Sequence, residues 1–433
     1  MSQTGNKLSR DLGLGGAIMM GLGSMLGTGV FVSIGIAAGV AGPSVVLAIA
    51  LAALVATCNA LSSAQLAASH PVSGGTYEYG YRYLNPRLGF TAGWMFLCAK
   101  SASAATAALG FAGYALPMAG GSAAAMPWVA IGSVLLFTLL VLAGIKRSSW
   151  VNIAIVSVTL AALGGFILFG SPSALATGSS NWTPFFSDRE ESPASAFLYA
   201  SALMFVAFTG YGRIATLGEE VREPHLTIPR AIVVTVAVTA ALYICVAAVV
   251  VGIVGTAVFA DAPDRQATTL QIAATAMGSP SLALLVAAGA ITAMLGVLLN
   301  LILGLSRVVL AMGRRGDIPP IFGRLTGAEK EPASAVILVG VLVTGLAAIG
   351  SVETVWAFSA FTVLIYYAIT NLAALRLPDE RRLYPRWISV LGLASCLFLA
   401  FWVPVDIWVL GLGVIGAGLV FKTFAPRLWK QPI

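Results

Sequence analysis

The sequence predicts an all-α polytopic membrane protein with twelve transmembrane helices. Three observations carry this. Only 9% of the 433 residues are charged, against roughly 25% in a soluble domain. Mean hydropathy is +0.93, and the chain resolves into apolar runs of the length that spans a bilayer, about 20 residues. Glycine is abundant, at 47 residues, which suits close helix approach in lipid. Charge this sparse cannot solvate the surface of a soluble enzyme. Twelve spans would use about 240 residues and leave only short connections.

In chain order the runs are 12–36, 43–68, 89–117, 126–145, 150–171, 196–218, 230–254, 281–312, 334–350, 354–375, 387–403 and 407–424. Gly/Pro and charged clusters separate them. The first run ends before Gly42-Pro43 and the second at His70-Pro71. The third opens after Asn85-Pro86-Arg87, and Gly120-Gly121 divides it from the fourth. Lys146-Arg147 separates the fourth from the fifth, which ends at Ser171-Pro172. The sixth follows the acidic stretch at Glu190-Glu191 and meets Glu219-Glu220. Pro229-Arg230 opens the seventh and Gly255 closes it. The eighth lies between Pro280 and Arg314-Arg315, and the ninth between Pro332 and Gly350. The tenth stops at Arg376, the eleventh starts after Pro385-Arg386, and the twelfth follows Pro404. The runs at 89–117 and 281–312 are long enough to tilt or to extend past the lipid.

Most of the 24 Lys and Arg residues fall at the chain ends or in the connections after even-numbered helices. The connections after odd-numbered helices hold only Arg189 and Arg265, and Lys100, Arg213 and Arg307 lie within helices. The positive-inside rule then places both termini in the cytoplasm of a protein in the cell (plasma) membrane. The net charge of +7 reads as an orientation signal and a contact with anionic lipid headgroups, not as a nucleic-acid surface. Cys58, Cys98, Cys245 and Cys396 sit in separate apolar runs and form no CxxC. His70 and His225 have no metal-ligand spacing, so no metal or cofactor is expected. No cleavable leader is expected, because the first run lacks a small-residue cleavage site.

Two helices carry glycines at mid-membrane. Helix 1 contains Ser24-Met25-Leu26-Gly27-Thr28-Gly29, and helix 6 contains Phe205-Val206-Ala207-Phe208-Thr209-Gly210-Tyr211-Gly212. Glycine weakens a helix interior and admits non-helical backbone, which lipid tolerates only where it lines a cavity or is covered by protein. Freed amides then face an anion and freed carbonyls a cation, a pairing that suits an α-amino carboxylate. The alternative is that these glycines are packing contacts of the GxxxG kind. The five-helix separation favours the first reading, because interrupted segments in register mark an inverted-repeat site. It divides the chain into a five-helix repeat at 1–171, with a short cytoplasmic N-terminus, an inverted second repeat at 172–378, and two appended helices at 379–433.

Five segments in order carry a family resemblance. Gly27-Thr28-Gly29-Val30-Phe31 resembles the helix 1 motif of the amino acid–polyamine–organocation (APC) superfamily. Phe208-Thr209-Gly210-Tyr211-Gly212 resembles its helix 6 break. Pro71-Val72-Ser73-Gly74-Gly75-Thr76-Tyr77 is similar to its first intracellular loop. Glu219-Glu220-Val221-Arg222-Glu223-Pro224 with Ile228-Pro229-Arg230 is similar to its helix 6–7 connection. Arg314-Arg315-Gly316-Asp317-Ile318-Pro319 matches the end of its helix 8. The resemblance implies the leucine-transporter fold and an amino acid permease working by alternating access. It places the substrate carboxylate on the amides of Gly27, Thr28 and Gly29, and the ammonium on carbonyls near Met25, Leu26, Ala207 and Phe208. Ser24, Thr209 and Gly210 complete the expected site. The family's aromatic gate position is Val206 here, so Phe205 or Phe208 takes that role or the gate is looser.

Ionisable groups inside a membrane are functional candidates by default. Lys100 lies about 16 Å from the start of its run at 1.5 Å per residue. It reads as a proton carrier or a fixed charge beside the site, or else as a snorkelling or paired lysine. Arg213 follows the helix 6 interruption. Glu219, Glu220 and Arg307 read as an intracellular gate of ion pairs or as a solvated helix end. Some proton-coupled relatives carry a helix 5 lysine, and alignment places Thr159 there. The expected partners are therefore an amino acid, a neutral one by the pocket's small residues, protons, and the bilayer. Export, uncoupled exchange and carriage of polyamines or cationic amino acids are the rivals, with a channel a further class. An embedded enzyme would need clustered catalytic residues, and the sequence has none.

Overall fold

Helix starts follow from local chemistry. The structure, a computed structural model, describes residues 12–70, 74–144, 149–187, 192–215, 221–260, 268–325 and 332–424. Within these residues the chain folds into helices α1 Leu14–Met25, α2 Thr28–Phe31, α3 Ser33–Ala41, α4 Val45–Ser69, α5 Thr76–Tyr83, α6 Pro86–Met118, α7 Met126–Leu142, α8 Ser149–Ala176 and α9 Pro193–Phe208. There follow α10 Gly212–Ala215, α11 Pro224–Val254, α12 Ala257–Ala260, α13 Thr269–Ala276, α14 Pro280–Arg315, α15 Ala333–Ala347, α16 Val352–Leu375, α17 Arg386–Ala400 and α18 Val405–Phe424. Asn85 caps α6 by accepting the Leu88 amide at 2.9 Å, with Pro86 in the first turn. Ser192 and Ser195 form a reciprocal cap on α9 ahead of Pro193. Both devices satisfy amides that a helix start leaves free.

Among the described residues, nine helices are long and apolar enough to cross a membrane. This corrects the expected twelve. The Leu14–Met25, Ala333–Ala347 and Arg386–Ala400 helices are 12, 15 and 15 residues long, short of the roughly 20 that span the hydrocarbon core. Hydropathy joined what the backbone separates. The first apolar run crosses a break after Met25, and its second part continues through α2 and α3 into α4 as one apolar stretch, Thr28–Ser69. The runs at 334–350 and 387–403 include apolar residues beyond the last helical turn, at Ala347 and Ala400. The nine do not divide into two five-helix halves with two appended.

The centre of the bundle is formed by α6, α9 and α16, whose membrane-length windows are 72–78% buried. α16 and α14 pack on α6, and α9 packs on α3 and α4. α7, α8 and α18 are peripheral and expose Leu139, Leu168 and Val420, which no water-facing surface would favour in such number. Trp128 and Trp150 are among the most exposed side chains, as suits amphipathic rings at a membrane boundary.

One end of the bundle is tied by charge. Asp317, 1% exposed, follows α14 and accepts the hydroxyls of Tyr77 and Tyr81, each at 2.7 Å. It also pairs with Lys422 near the end of α18. Burial, with the Asp317 carboxylate beside them, pushes both tyrosine hydroxyls well above their ordinary range, so they remain donors. Arg315 holds Glu78 through both carboxylate oxygens, at 2.7 and 2.6 Å, and stacks 4.0 Å above the Tyr81 ring. The Arg-Arg-Gly-Asp segment thus joins α5, α14 and α18.

Candidate functional site

α1 ends because Leu26 and Gly27 leave helical geometry, at φ −78°, ψ 77° and φ −157°, ψ −117°. Leu26 N–H still bonds to Leu22 O at 2.7 Å, whereas Gly27 N–H turns back to Met25 O at 2.9 Å. The chain re-enters helix at Thr28. The second interruption is gentler. α9 stops at Phe208, Thr209–Tyr211 form one 3₁₀ turn, and α10 resumes at Gly212. The two interruptions touch: a β-carbon on Gly210 would lie 2.5 Å from Ser24 O and 2.6 Å from Met25 Cγ. Glycine is required there by close approach, not by an unusual φ.

A cavity of about 40 Å³ lies between them, walled by Ser24, Met25, Thr28 and Gly29 on one side and Val206, Ala207, Thr209 and Gly210 on the other. Lys100, Ser103, Trp356, Val297 and Leu301 close it. A second cavity of about 160 Å³ shares the Ser24, Lys100, Thr209 and Gly210 wall and continues past Asn300, Arg213 and Arg307 to Gly74 and Gly75. The smaller one has room for only a few waters, and the larger opens it toward the α5 end.

The polar groups around the cavity are almost all committed. Lys100 Nζ donates to Thr209 Oγ1 at 2.7 Å, and that hydroxyl donates to Val206 O at 2.7 Å. Tyr367 OH donates to Thr209 O at 3.2 Å, and Trp356 Nε1 to Leu203 O at 3.0 Å. Ser103 and Ser359 share a bond of 2.9 Å. The exception is Thr28 Oγ1, which is buried and has no hydrogen-bond partner among the described residues. A buried hydroxyl without a partner costs about 1–3 kcal/mol, and this one belongs to a residue that lines the cavity. The amides of Thr28 and Gly29, in the first turn of α2, have no earlier helical carbonyl to meet.

The structure therefore brings Ser24, Met25, Thr28, Gly29, Lys100, Ala207, Thr209 and Gly210 around one cavity. Leu26 and Gly27 lie beside it, with Gly27 close against Val297. Arg213 and Arg307 line the larger cavity. Phe205 and Phe208 are fully buried behind the wall, against Tyr367 and Tyr243 at ring distances of 5.7 and 5.2 Å, and Val206 faces the cavity instead. Thr159 lines neither cavity, and its hydroxyl bonds to Ile155 O at 2.8 Å. Glu219 and Glu220 lie outside the described residues. Sequence reasoning missed Ser103, Trp356, Tyr243 and Tyr367. Ser103 is one turn from Lys100 and was within reach of a helical-face argument. The other three carry no chemical signature in an apolar run.

Comparison with known proteins decides the family. The amino acid permease family model matches residues 16–426. The chain belongs to the amino acid permease family. This permease is 40% identical over 420 residues to an uncharacterized transporter of Mycobacterium tuberculosis, covering 96% of this chain and 91% of the relative. It is 29% identical over 420 residues to the branched-chain amino acid permease of Bacillus subtilis, covering 90% and 88%. It is 25% identical over 427 residues to the methylthioribose transporter of Bacillus subtilis, covering 93% and 90%. The permease is thus a multi-pass membrane protein and a secondary transporter of amino-acid- or polyamine-type substrates, not an enzyme.

Proposed function

We propose that this permease carries neutral α-amino acids across the plasma membrane by alternating access around the cavity between α1–α2 and α9–α10, coupled to protons through Lys100. The observation that carries the proposal is the Thr28 hydroxyl, buried and without a partner among the described residues, in a wall formed by Thr28 and Gly29, the first two residues of α2. Donors there suit the substrate carboxylate. The small cavity accommodates the head of the molecule and the larger one its side chain. Lys100 in the shared wall disfavours cationic side chains, because like charges at close range repel. The larger cavity runs to the face bearing α5 and the basic end of α14, which the positive-inside rule assigns to the cytoplasm.

A thermal-shift screen of purified protein against the twenty amino acids and common polyamines, at two pH values, tests this reading. A substrate stabilises by mass action, so at least one neutral amino acid raises the midpoint. Thr28→Val, which keeps the shape and removes the hydroxyl, weakens that ligand about 10- to 100-fold, as expected for a hydrogen bond to a charged group. No stabilisation by any amino acid, or equal affinity in the valine variant, contradicts the reading.

A further inference from the structure

Tyr114 lies on α6, fully buried, and lines neither of the two cavities. Its hydroxyl meets two other helices. It donates to Phe31 O, the last carbonyl of α2, at 3.2 Å. It accepts the backbone amides of Leu270 and Gln271 in the first turn of α13. A tyrosine hydroxyl has one proton to give and two lone pairs to receive, so all three are used. Both partners need it. The chain bends between α2 and α3 at Val32, with φ −122° and ψ −54°. The Gly35 and Ile36 amides both turn to Val32 O, at 3.0 and 3.3 Å, which leaves Phe31 O to a side chain. The side chain of Thr268 makes no cap bond to α13, and the amides that begin a helix have no earlier carbonyl to meet.

The surroundings are fitted to this contact. The Tyr114 ring stands edge-on to the Phe31 ring at 6.1 Å. One turn earlier on α6, a β-carbon on Gly110 would lie 2.8 Å from Val32 Cγ2, so the missing side chain lets α6 come up against the bend. α13 buries Leu270, Ala273 and Ala274 and packs on α11 and α14. It leads into Pro280 at the start of α14, the end opposite Arg314 and Arg315, which the positive-inside rule makes the outer face. A short helix at the outer end of the bundle is thus joined, through one hydroxyl, to the helix that walls the cavity with Thr28 and Gly29.

We propose that Tyr114 is a positioning residue for transport: its hydroxyl links the substrate wall at α2 to the outer helix α13, so that filling the cavity and seating α13 favour one another. The inference deepens the amino acid reading above and rests on it. Substrate held at Thr28 and Gly29 fixes α2, and Phe31 closes that same single turn. A fixed carbonyl keeps the hydroxyl in line, and the hydroxyl keeps the two amides. Coupling is reciprocal, so a seated α13 raises substrate affinity by the factor by which substrate steadies α13.

Hydrogen–deuterium exchange of full-length protein in proteoliposomes, read by mass spectrometry, tests this with the amino acid that stabilises the wild type. Saturating substrate is expected to slow exchange of the α13 amides about tenfold in the wild type, or 1.4 kcal/mol. Tyr114→Phe is expected to speed α13 exchange and to abolish its response to substrate, while substrate still slows exchange in α2. Its loss of substrate affinity is expected to be at most about tenfold. Thr268→Asp, added to Tyr114→Phe, gives α13 a cap of its own. It is expected to restore slow exchange without the response to substrate, which separates linkage from support of the helix alone. Wild-type α13 exchange indifferent to bound substrate overturns the inference, as does a response that survives in Tyr114→Phe or returns with Thr268→Asp. Should Tyr114→Phe not fold, Gly110→Ala, which pushes α6 off the bend, is expected to weaken the response, and a full response there overturns the inference. If no amino acid binds the wild type, the functional reading fails and the inference with it. An amino acid that binds without steadying α13 sinks the inference alone.

Discussion

Gly210→Val is expected to lower uptake about 100-fold while the protein still folds. The first added carbon would sit 2.5 Å from Ser24 O, a backbone atom, and 2.6 Å from Met25 Cγ. The methionine side chain can move, but the carbonyl cannot without shifting the end of α1. Overpacking of this kind costs about 1–3 kcal/mol, and a factor of 100 in transport corresponds to about 2.7 kcal/mol. The strain falls where the two interruptions meet, so it separates the walls of the cavity and not the lipid-facing bundle. Gly210→Ala is expected to give a smaller loss. Gly164→Ala is the control, because a β-carbon there meets nothing within 4 Å. Initial uptake rates in proteoliposomes, normalised to folded protein, check this. Equal losses at Gly210 and Gly164, or none at Gly210, would show that the contact does not shape the site.

Lys100→Met is expected to uncouple transport from the proton gradient and leave exchange intact. Lys100 is the cationic side chain in the wall shared by the two cavities, and its bond to Thr209 reaches the turn between α9 and α10. Gain or loss of its proton changes that bond, and with it the seat of the second interruption. One proton carried per substrate supports about tenfold accumulation for each pH unit, since one unit is 1.36 kcal/mol. Wild-type vesicles in a gradient acidic outside should approach that ratio. The methionine variant, with a similar apolar stem and no ammonium, should equilibrate to about onefold yet still exchange labelled for unlabelled substrate. Gradient-driven accumulation that persists in Lys100→Met assigns coupling elsewhere.

How much of this was legible in the sequence depended on what each element is made of. Interruptions at residues 26–27 and 209–211 follow from Gly27, Gly29, Gly210 and Gly212, because glycine spacing inside an apolar run is a backbone signal. Lys100 stood out because charge is rare in this chain. Helix lengths were not legible, since hydropathy counts apolar residues whether or not the backbone is helical: Leu26 and Gly27 are apolar and break α1, and the residues after Ala347 and Ala400 are apolar and leave the helix. Trp356, Val297 and Leu301 reach the cavity through the packing of α16 and α14 on α6, which no local pattern encodes. The role of Asp317 needed the distant α5 and α18 to become visible.

Counterflow measures the central claim most directly, that one cavity between two interrupted helices carries an amino acid alternately to either side. Proteoliposomes are loaded with unlabelled substrate, diluted into a trace of the labelled compound, and followed over time. The account predicts transient accumulation of label above its external concentration, saturable by external substrate and weakened in Thr28→Val. A flux that rises linearly with concentration and ignores the internal load would contradict it, because a pore conducts without exchanging.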